Sequence, residues 1–242
     1  MSAKKKETAQ PAPRGYFHES SRPFTSLIFI LPLLIAYEGA ILALGADAVH
    51  NAAAQWLQNV LSAIGFGRYV LLPVLTIGLL LGWHYASRLP WKFSPWVLPA
   101  MFVEAIAWGA LLWLVYKGWS QLVGRAIDVP YDLAHLFGFF GAGIYEELLF
   151  RVLLLSGIAL IIHSAGAPRR ASLVPVIVIS ALLFALAHYD VATSGGQPFS
   201  WVGVTFHAIL GVAFGVLFVL RGFGITAGTH ALYNVLVMLL KV

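Results

Sequence analysis

The stretch Leu133–His163, LAHLFGFFGAGIYEELLFRVLLLSGIALIIH, decides how the rest of the chain is read. It is apolar over more than the ~20 residues that a helix needs to cross a bilayer. Even so, it carries Glu146, Glu147 and Arg151 near its middle. An ionisable side chain in hydrocarbon costs roughly 2.5–3.5 kcal/mol on insertion scales. Two carboxylates and a guanidinium held there point to chemistry. Three glycines, Gly138, Gly141 and Gly143, allow either one long tilted helix packed closely on a neighbour or a helix broken near 138–143.

The rest of the 242-residue chain has the same character: 60% of it is hydrophobic and 10% is charged. Soluble domains carry about 25% charged residues. Further apolar runs cover 24–45, 69–87, 96–116, 172–188, 201–220 and 225–240. The fold class is therefore all-α: a polytopic transmembrane bundle of seven or eight helices, whose backbone groups are satisfied within each helix. Residues 1–23 form a polar basic tail, with Lys4, Lys5, Lys6, Arg14 and Arg22, suited to anionic lipid. Residues 24–242 form the membrane domain. The first run is read as an uncleaved anchor, because it is longer than a signal-peptide core. In 51–64, Trp56, Leu57, Val60, Leu61 and Ile64 share one face, which predicts an amphipathic helix lying at the interface.

Lys and Arg set the orientation. With the N-terminus in the cytosol, the tail, Arg88, Lys92, Arg169, Arg170 and Arg221 fall inside, and Arg68, Lys117 and Arg125 fall outside. The net charge of +5 sits in tails and loops, so it is no nucleic-acid signal. There is no cysteine, which excludes disulfides and thiolate chemistry.

Glu147 and Arg151 are four residues apart, share a helical face and can pair. Glu146 points about a quarter-turn away and is left as the available base. Two further patterns lie on later helices: Phe184-Ala-Leu-Ala-His188 and His230-Ala-Leu-Tyr-Asn234. Phe184 packs beside His188 and restricts its rotamer. His230 and Asn234 share a face, where they can hydrogen-bond an oxyanion or bridge helices. Each pattern alone reads equally well as helix packing; their occurrence together on three helices favours a site. Glu38 and Glu104 are read as interhelix hydrogen-bonding groups in protonated form. His84, His163 and His207 are read as packing or interfacial residues, and Asp190 as a solvated helix-end charge.

In that order, Glu-Glu-x-x-x-Arg, Phe-x-x-x-His and His-x-x-x-Asn resemble the signature of the CPBP family. Its members include type II CAAX prenyl endopeptidases and Abi-type bacteriocin-processing or immunity proteins. The resemblance covers 133–240 and implies an intramembrane endopeptidase with its active residues in a conical cavity. By the same resemblance Glu146 matches the water-activating glutamate, assisted by His188. His230 and Asn234 match the oxyanion pair, while Glu147 and Arg151 match supporting positions.

The expected function is thus hydrolysis of a peptide or protein substrate at the membrane, with lipid as the surroundings. The chain would be multi-pass, in the plasma membrane if bacterial. No cofactor is required by this chemistry. The metalloendopeptidase alternative would use Glu146, His188 and His230 as zinc ligands with an open position for water, although no His-Glu-x-x-His motif is present. A non-catalytic alternative is a scaffold or immunity protein that binds a toxin or a partner membrane protease. One tension remains at this level: these boundaries place His188 near the outer end of its helix, with Glu146 and His230 deeper.

Overall fold

A computed structural model describes residues 15–45, 52–65, 71–124, 132–189 and 198–240. Lys4, Lys5, Lys6, Arg14, Arg68, Arg125 and Asp190 lie outside the described residues. The helices are α1 (Tyr16–Ser20), α2 (Pro23–Leu44), α3 (Ala52–Ala63), α4 (Leu71–Ala86) and α5 (Val97–Val123). They continue with α6 (Leu133–Gly141), α7 (Ser156–Ser164), α8 (Arg169–Leu186), α9 (Trp201–Arg221) and α10 (Phe223–Leu239). Among the described residues no strand ladder forms.

Four helices are long and apolar enough to cross a membrane: Pro23–Leu44, Val97–Val123, Leu133–Ser164 and Trp201–Arg221. Leu71–Ala86, Ala171–Leu186 and Phe223–Leu239 are shorter apolar helices. The count of seven or eight crossings depends on those three, each roughly 25 Å long against a hydrocarbon core of about 30 Å. Large apolar side chains face outward on many helices, Leu42 at 84% and Leu122 at 79% exposure among them. That surface suits lipid.

Leu133–Ser164 is one unbroken helix. The alternative of a break near 138–143 is not what forms. The Asp132 side chain caps its start by accepting from the His135 backbone N–H at 2.8 Å. That hydrogen bond, with the His135 side chain, holds the Asp132 carboxyl below its ordinary range. In its middle the helix widens into π-helical turns over Ala142–Glu146 and Leu148–Leu155. Such turns are rare and concentrate at functional sites. Here they flank both glutamates. The Ser156 hydroxyl donates to Arg151 O, five residues back, at 3.1 Å.

Small residues set the helix–helix contacts. A Cβ at Gly211 would meet Ala181, and one at Gly215 would meet Ile177. The falling partner numbers make α8 and α9 an antiparallel pair. Gly224 sits on Met101, Gly228 on Ala105 and Gly109 on Tyr233 and Leu232, so α5 and α10 run parallel. Helix α10 is the axis of the bundle: Phe223 through Ala231 are all buried. Leu27, Ile30, Leu34 and Tyr37 pack α2 into the core.

Along helix α3, Ala53, Ala54 and Leu57 are buried, whereas Val60, and Ile64 just beyond the helix, are exposed. Two expectations need correction. Arg221 is not a solvated loop charge. It is buried, and its Nε and Nη2 donate to Glu104 Oε1 and Oε2 at 2.6 and 2.7 Å. Glu104 is therefore one half of a two-pronged ion pair, not a protonated hydrogen bonder, and it also accepts from the Tyr16 hydroxyl at 2.5 Å. Arg221 further donates to Ser20 Oγ at 2.8 Å, which ties α1 to the ends of α5 and α9.

Removing the acid leaves a buried guanidinium without its counter-charge. Glu104→Ala is expected to destabilise the fold by about 2 kcal/mol or more. A thermal melt of the purified chain checks this, and an unchanged transition contradicts it.

Glu38 does form the expected interhelix hydrogen bond, accepting from the Tyr145 hydroxyl. His84 packs as expected, buried against Trp91 and Phe24 at 4.5 and 5.5 Å between ring centres.

Candidate active site

The π-turned stretch presents its two glutamates to different partners. Glu147 Oε2 lies 3.1 Å from Arg151 Nε, both side chains being fully buried. The Glu147–Arg151 pairing anticipated from their spacing is therefore present. The contact is chiefly electrostatic, since it does not form a well-aligned hydrogen bond. Arg151 Nη2 donates to Gly211 O on α9 at 3.1 Å. Its guanidinium lies 4.6 Å from the centre of the Phe184 ring and 5.8 Å from that of Phe214.

The other oxygen of Glu147 has a partner that was not anticipated. Oε1 is 2.8 Å from His230 Nδ1. Glu147 thus bridges Arg151 and His230 and joins the long helix to α10. Phe214 stacks on the His230 ring at 4.4 Å with the planes 18° apart, which fixes the ring's attitude.

Glu146 faces the opposite nitrogen of the same imidazole. Its Oε2 lies 3.8 Å from His230 Nε2 and 3.6 Å from His188 Nε2. These distances exceed a direct hydrogen bond, so the three groups surround a shared position without bonding one another directly. His188 follows the end of α8. Its Nδ1 is 2.8 Å from Phe184 O, and the Phe184 ring meets its ring edge-on at 4.7 Å. The expected restraint of His188 by Phe184 is thus supplied by both ring and carbonyl. Side-chain exposure is 24% for His188 and 11% for Glu146, against 0% for Glu147. The site is accessible on the Glu146–His188 side and sealed beneath.

The depth difference is spanned by side chains. His230 lies about 10 Å along α10 from Phe223, and His207, beside His188, lies about 21 Å along α9 from Arg221. Helix α9 ends where α10 begins, so the His188 level is farther from that end than the His230 level. Glu146 bridges the two levels because it contacts both histidines. Asn234 is half-buried on α10, one turn beyond His230, and makes no hydrogen bond to Glu146, His188 or His230.

Residues 130–236, which contain all of these groups, match the family described as Type II CAAX prenyl endopeptidase Rce1-like. This segment belongs to the Rce1-like family. No curated protein and no solved structure matches the chain. The matched family is one of endopeptidases, and the four apolar helices of membrane-spanning length support an integral membrane protein.

Among the described residues, no group of three or more His, Asp or Glu side chains is arranged to hold a metal ion. The reading that makes Glu146, His188 and His230 zinc ligands therefore has no geometric support.

His207, read from the sequence as a packing or interfacial histidine, does pack, and what it packs on is the site: its ring centre is 4.2 Å from that of His188. A signal was present: Gly203, His207, Gly211 and Phe214 fall at spacings of four, four and three along α9. All four meet residues of this cluster or of the α8 end that carries it.

Gly143 brings the two halves together. A Cβ there would stand 2.6 Å from Ala227 O, 2.8 Å from Ala231 Cβ and 2.9 Å from Ala231 N. Two of those atoms are α10 backbone and cannot move aside cheaply. Gly143→Ala is expected to destabilise the protein by about 1–3 kcal/mol through overpacking, and to lower activity by pushing His230 off Glu147. Gly157→Ala is the control, since nothing lies within 4 Å of a Cβ there. Equal melting temperatures for the two variants would contradict the close-packing account.

Proposed function

We propose that the chain is an intramembrane endopeptidase in which Glu146 activates water against a peptide carbonyl. The observation that carries this reading is the convergence of two imidazole Nε2 atoms on Glu146 Oε2, at 3.6 and 3.8 Å. The proton inventory follows from the partners. Carbonyl and carboxylate oxygens only accept, so Nδ1 of His188, against Phe184 O, carries a proton. Nδ1 of His230, against Glu147 Oε1, carries one as well. Both Nε2 atoms then turn toward a carboxylate. The three groups together frame an acid–base unit around the place of a water.

Glu147 holds His230 through Nδ1–H and turns its Nε2 edge to the site, as the acid orients the imidazole in a serine-protease triad. When it carries a proton on Nε2, His230 is the donor proposed for the developing oxyanion, a type of contact worth about 3–4 kcal/mol in other enzymes. Asn234 is the second donor by resemblance to the family pattern. The step balances as follows. Glu146 takes a proton from water, and the hydroxide oxygen bonds to the carbonyl carbon. The carbonyl π pair moves onto the oxygen facing His230. When the oxyanion collapses, the C–N bond breaks, and the proton that Glu146 took from water passes to the amine, directly or by way of His188 Nε2.

The substrate class proposed is a peptide ending in a CAAX sequence, presented from the bilayer. The N-terminus is proposed to be cytosolic. Arg22, Lys92 and Arg221 support this, because they gather at one end, where Arg22 Nη1 donates to Lys92 O and Arg221 Nη1 to Phe17 O. The scaffold alternative draws on the full burial of Glu147 and Arg151, but it leaves the more exposed Glu146–His188 pair without a role.

The test uses the purified chain in detergent with two CAAX peptides of one sequence, farnesylated and unmodified. Cleavage of at least one within the CAAX sequence is expected. A folded protein that cuts neither overturns the proposal.

A further inference from the structure

The mechanism above leaves one imidazole of the cluster unused. His207 stacks on His188 with ring centres 4.2 Å apart and planes tilted by 31°. Its own ring is clamped: Nδ1 lies 2.9 Å from Gly203 O and 3.1 Å from the Tyr189 hydroxyl. The carbonyl accepts, so Nδ1 carries the proton. The clamp requires glycine at 203, because a Cβ there would collide with the Tyr189 hydroxyl. Tyr189 is buried and, through the adjoining backbone, moves with His188.

His188 needs such support. Helix α8 ends at Leu186, so His188 stands beyond its last turn. Phe184 restrains it through ring and carbonyl. His207 supplies the stacked contact from a second helix. Phe184 meets the imidazole at Nδ1 and edge-on, while the His207 ring lies against it from α9.

We propose that His207 is a positioning residue for His188, the plane of its stacked ring holding the imidazole so that Nε2 stays on Glu146. This rests on the peptidase reading for its catalytic consequence, but not for its structural one. The titratable groups that face or act on His207 are His188 and Tyr189 from the end of α8, Glu146 from the long helix and His230 from α10. The role belongs to the aromatic plane. His207→Phe therefore keeps it, whereas His207→Leu and His207→Gln lose it.

The experiment labels histidine side chains with ¹³C and ¹⁵N in the full-length chain in detergent. The His188 signals are assigned by their loss in His188→Gln. In His207→Leu and His207→Gln the His188 ring protons are expected to lose the ring-current shift of a stacked neighbour, and in His207→Phe to keep one. On the farnesylated CAAX peptide, kcat should fall roughly 10- to 100-fold in the Leu and Gln variants, the scale of a misplaced catalytic group. KM should stay within about twofold, and His207→Phe should restore most of kcat. Unchanged His188 signals in both non-aromatic variants overturn the proposal. So does a His207→Phe variant as impaired as His207→Gln, which would assign the role to the nitrogens. If the wild type cuts no peptide, the peptidase reading fails while the resonance comparison still decides the stacking. If His207→Leu does not fold, the Gln and Phe pair decides alone.

Discussion

Glu146→Gln is expected to abolish peptide cleavage while leaving the melting transition of the purified protein close to that of the wild type. The amide has nearly the shape of the carboxylate but cannot take a proton from water. A general base contributes typically 10²- to 10⁴-fold, so turnover should fall about a thousandfold. The fold should tolerate the change, because the Glu146 side chain retains some exposure and its contacts with His188 and His230 are longer than direct hydrogen bonds. The ion pair that holds the helix uses Glu147 instead. Cleavage rate and thermal melt on the same preparation check both halves. A Glu146→Gln variant with wild-type turnover removes the catalytic role. One that loses fold and activity together makes Glu146 structural.

Arg151→Ala should behave in the opposite way. The guanidinium is fully buried, pairs with Glu147, donates to Gly211 O and lies over Phe184 and Phe214. Removing it strands the Glu147 carboxylate in a sealed site, and breaking a buried pair from one side costs roughly 3–5 kcal/mol. It also deletes the packing between the long helix and α9. The expected result is loss of folded protein, seen as a collapsed yield after detergent extraction or a large fall in melting temperature. Arg151→Lys should recover only part of this, since an ammonium cannot serve Glu147 and Gly211 with the same planar fork. A folded, inactive Arg151→Ala would instead mean that Arg151 acts on the chemistry and that the bundle stands without it.

The contrast between these variants shows where the sequence was legible. Apolar runs located the long helices, because membrane length and composition are strong one-dimensional signals, though α5 runs on past the expected end at 116 to Val123 and the short α1 was not foreseen. The Glu147–Arg151 pair was legible because four residues on a helix put both on one face. The link from Glu147 to His230 spans 83 positions, and nothing local announces it. Arg221 was misread for the same reason. Its partner Glu104 is 117 positions away, and a lone arginine at a helix end reads as a solvated charge. The place of His207 at the site escaped because a single histidine in an apolar helix has many uses; only its spacing to Gly203, Gly211 and Phe214 marked a face. The π turns around Glu146 and Glu147 left no sequence trace.

The central claim is that Glu146 and the two imidazoles facing it hydrolyse a peptide bond with water. It is tested most directly by incubating the purified chain with the farnesylated CAAX peptide in ¹⁸O-water and weighing both fragments after a single turnover. The account predicts a cut within the CAAX sequence, one ¹⁸O in the new carboxylate, no peptide mass added to the protein, and no cut by Glu146→Gln. An intact peptide alongside folded wild-type protein, or a covalent peptide adduct on the quenched chain, would contradict it.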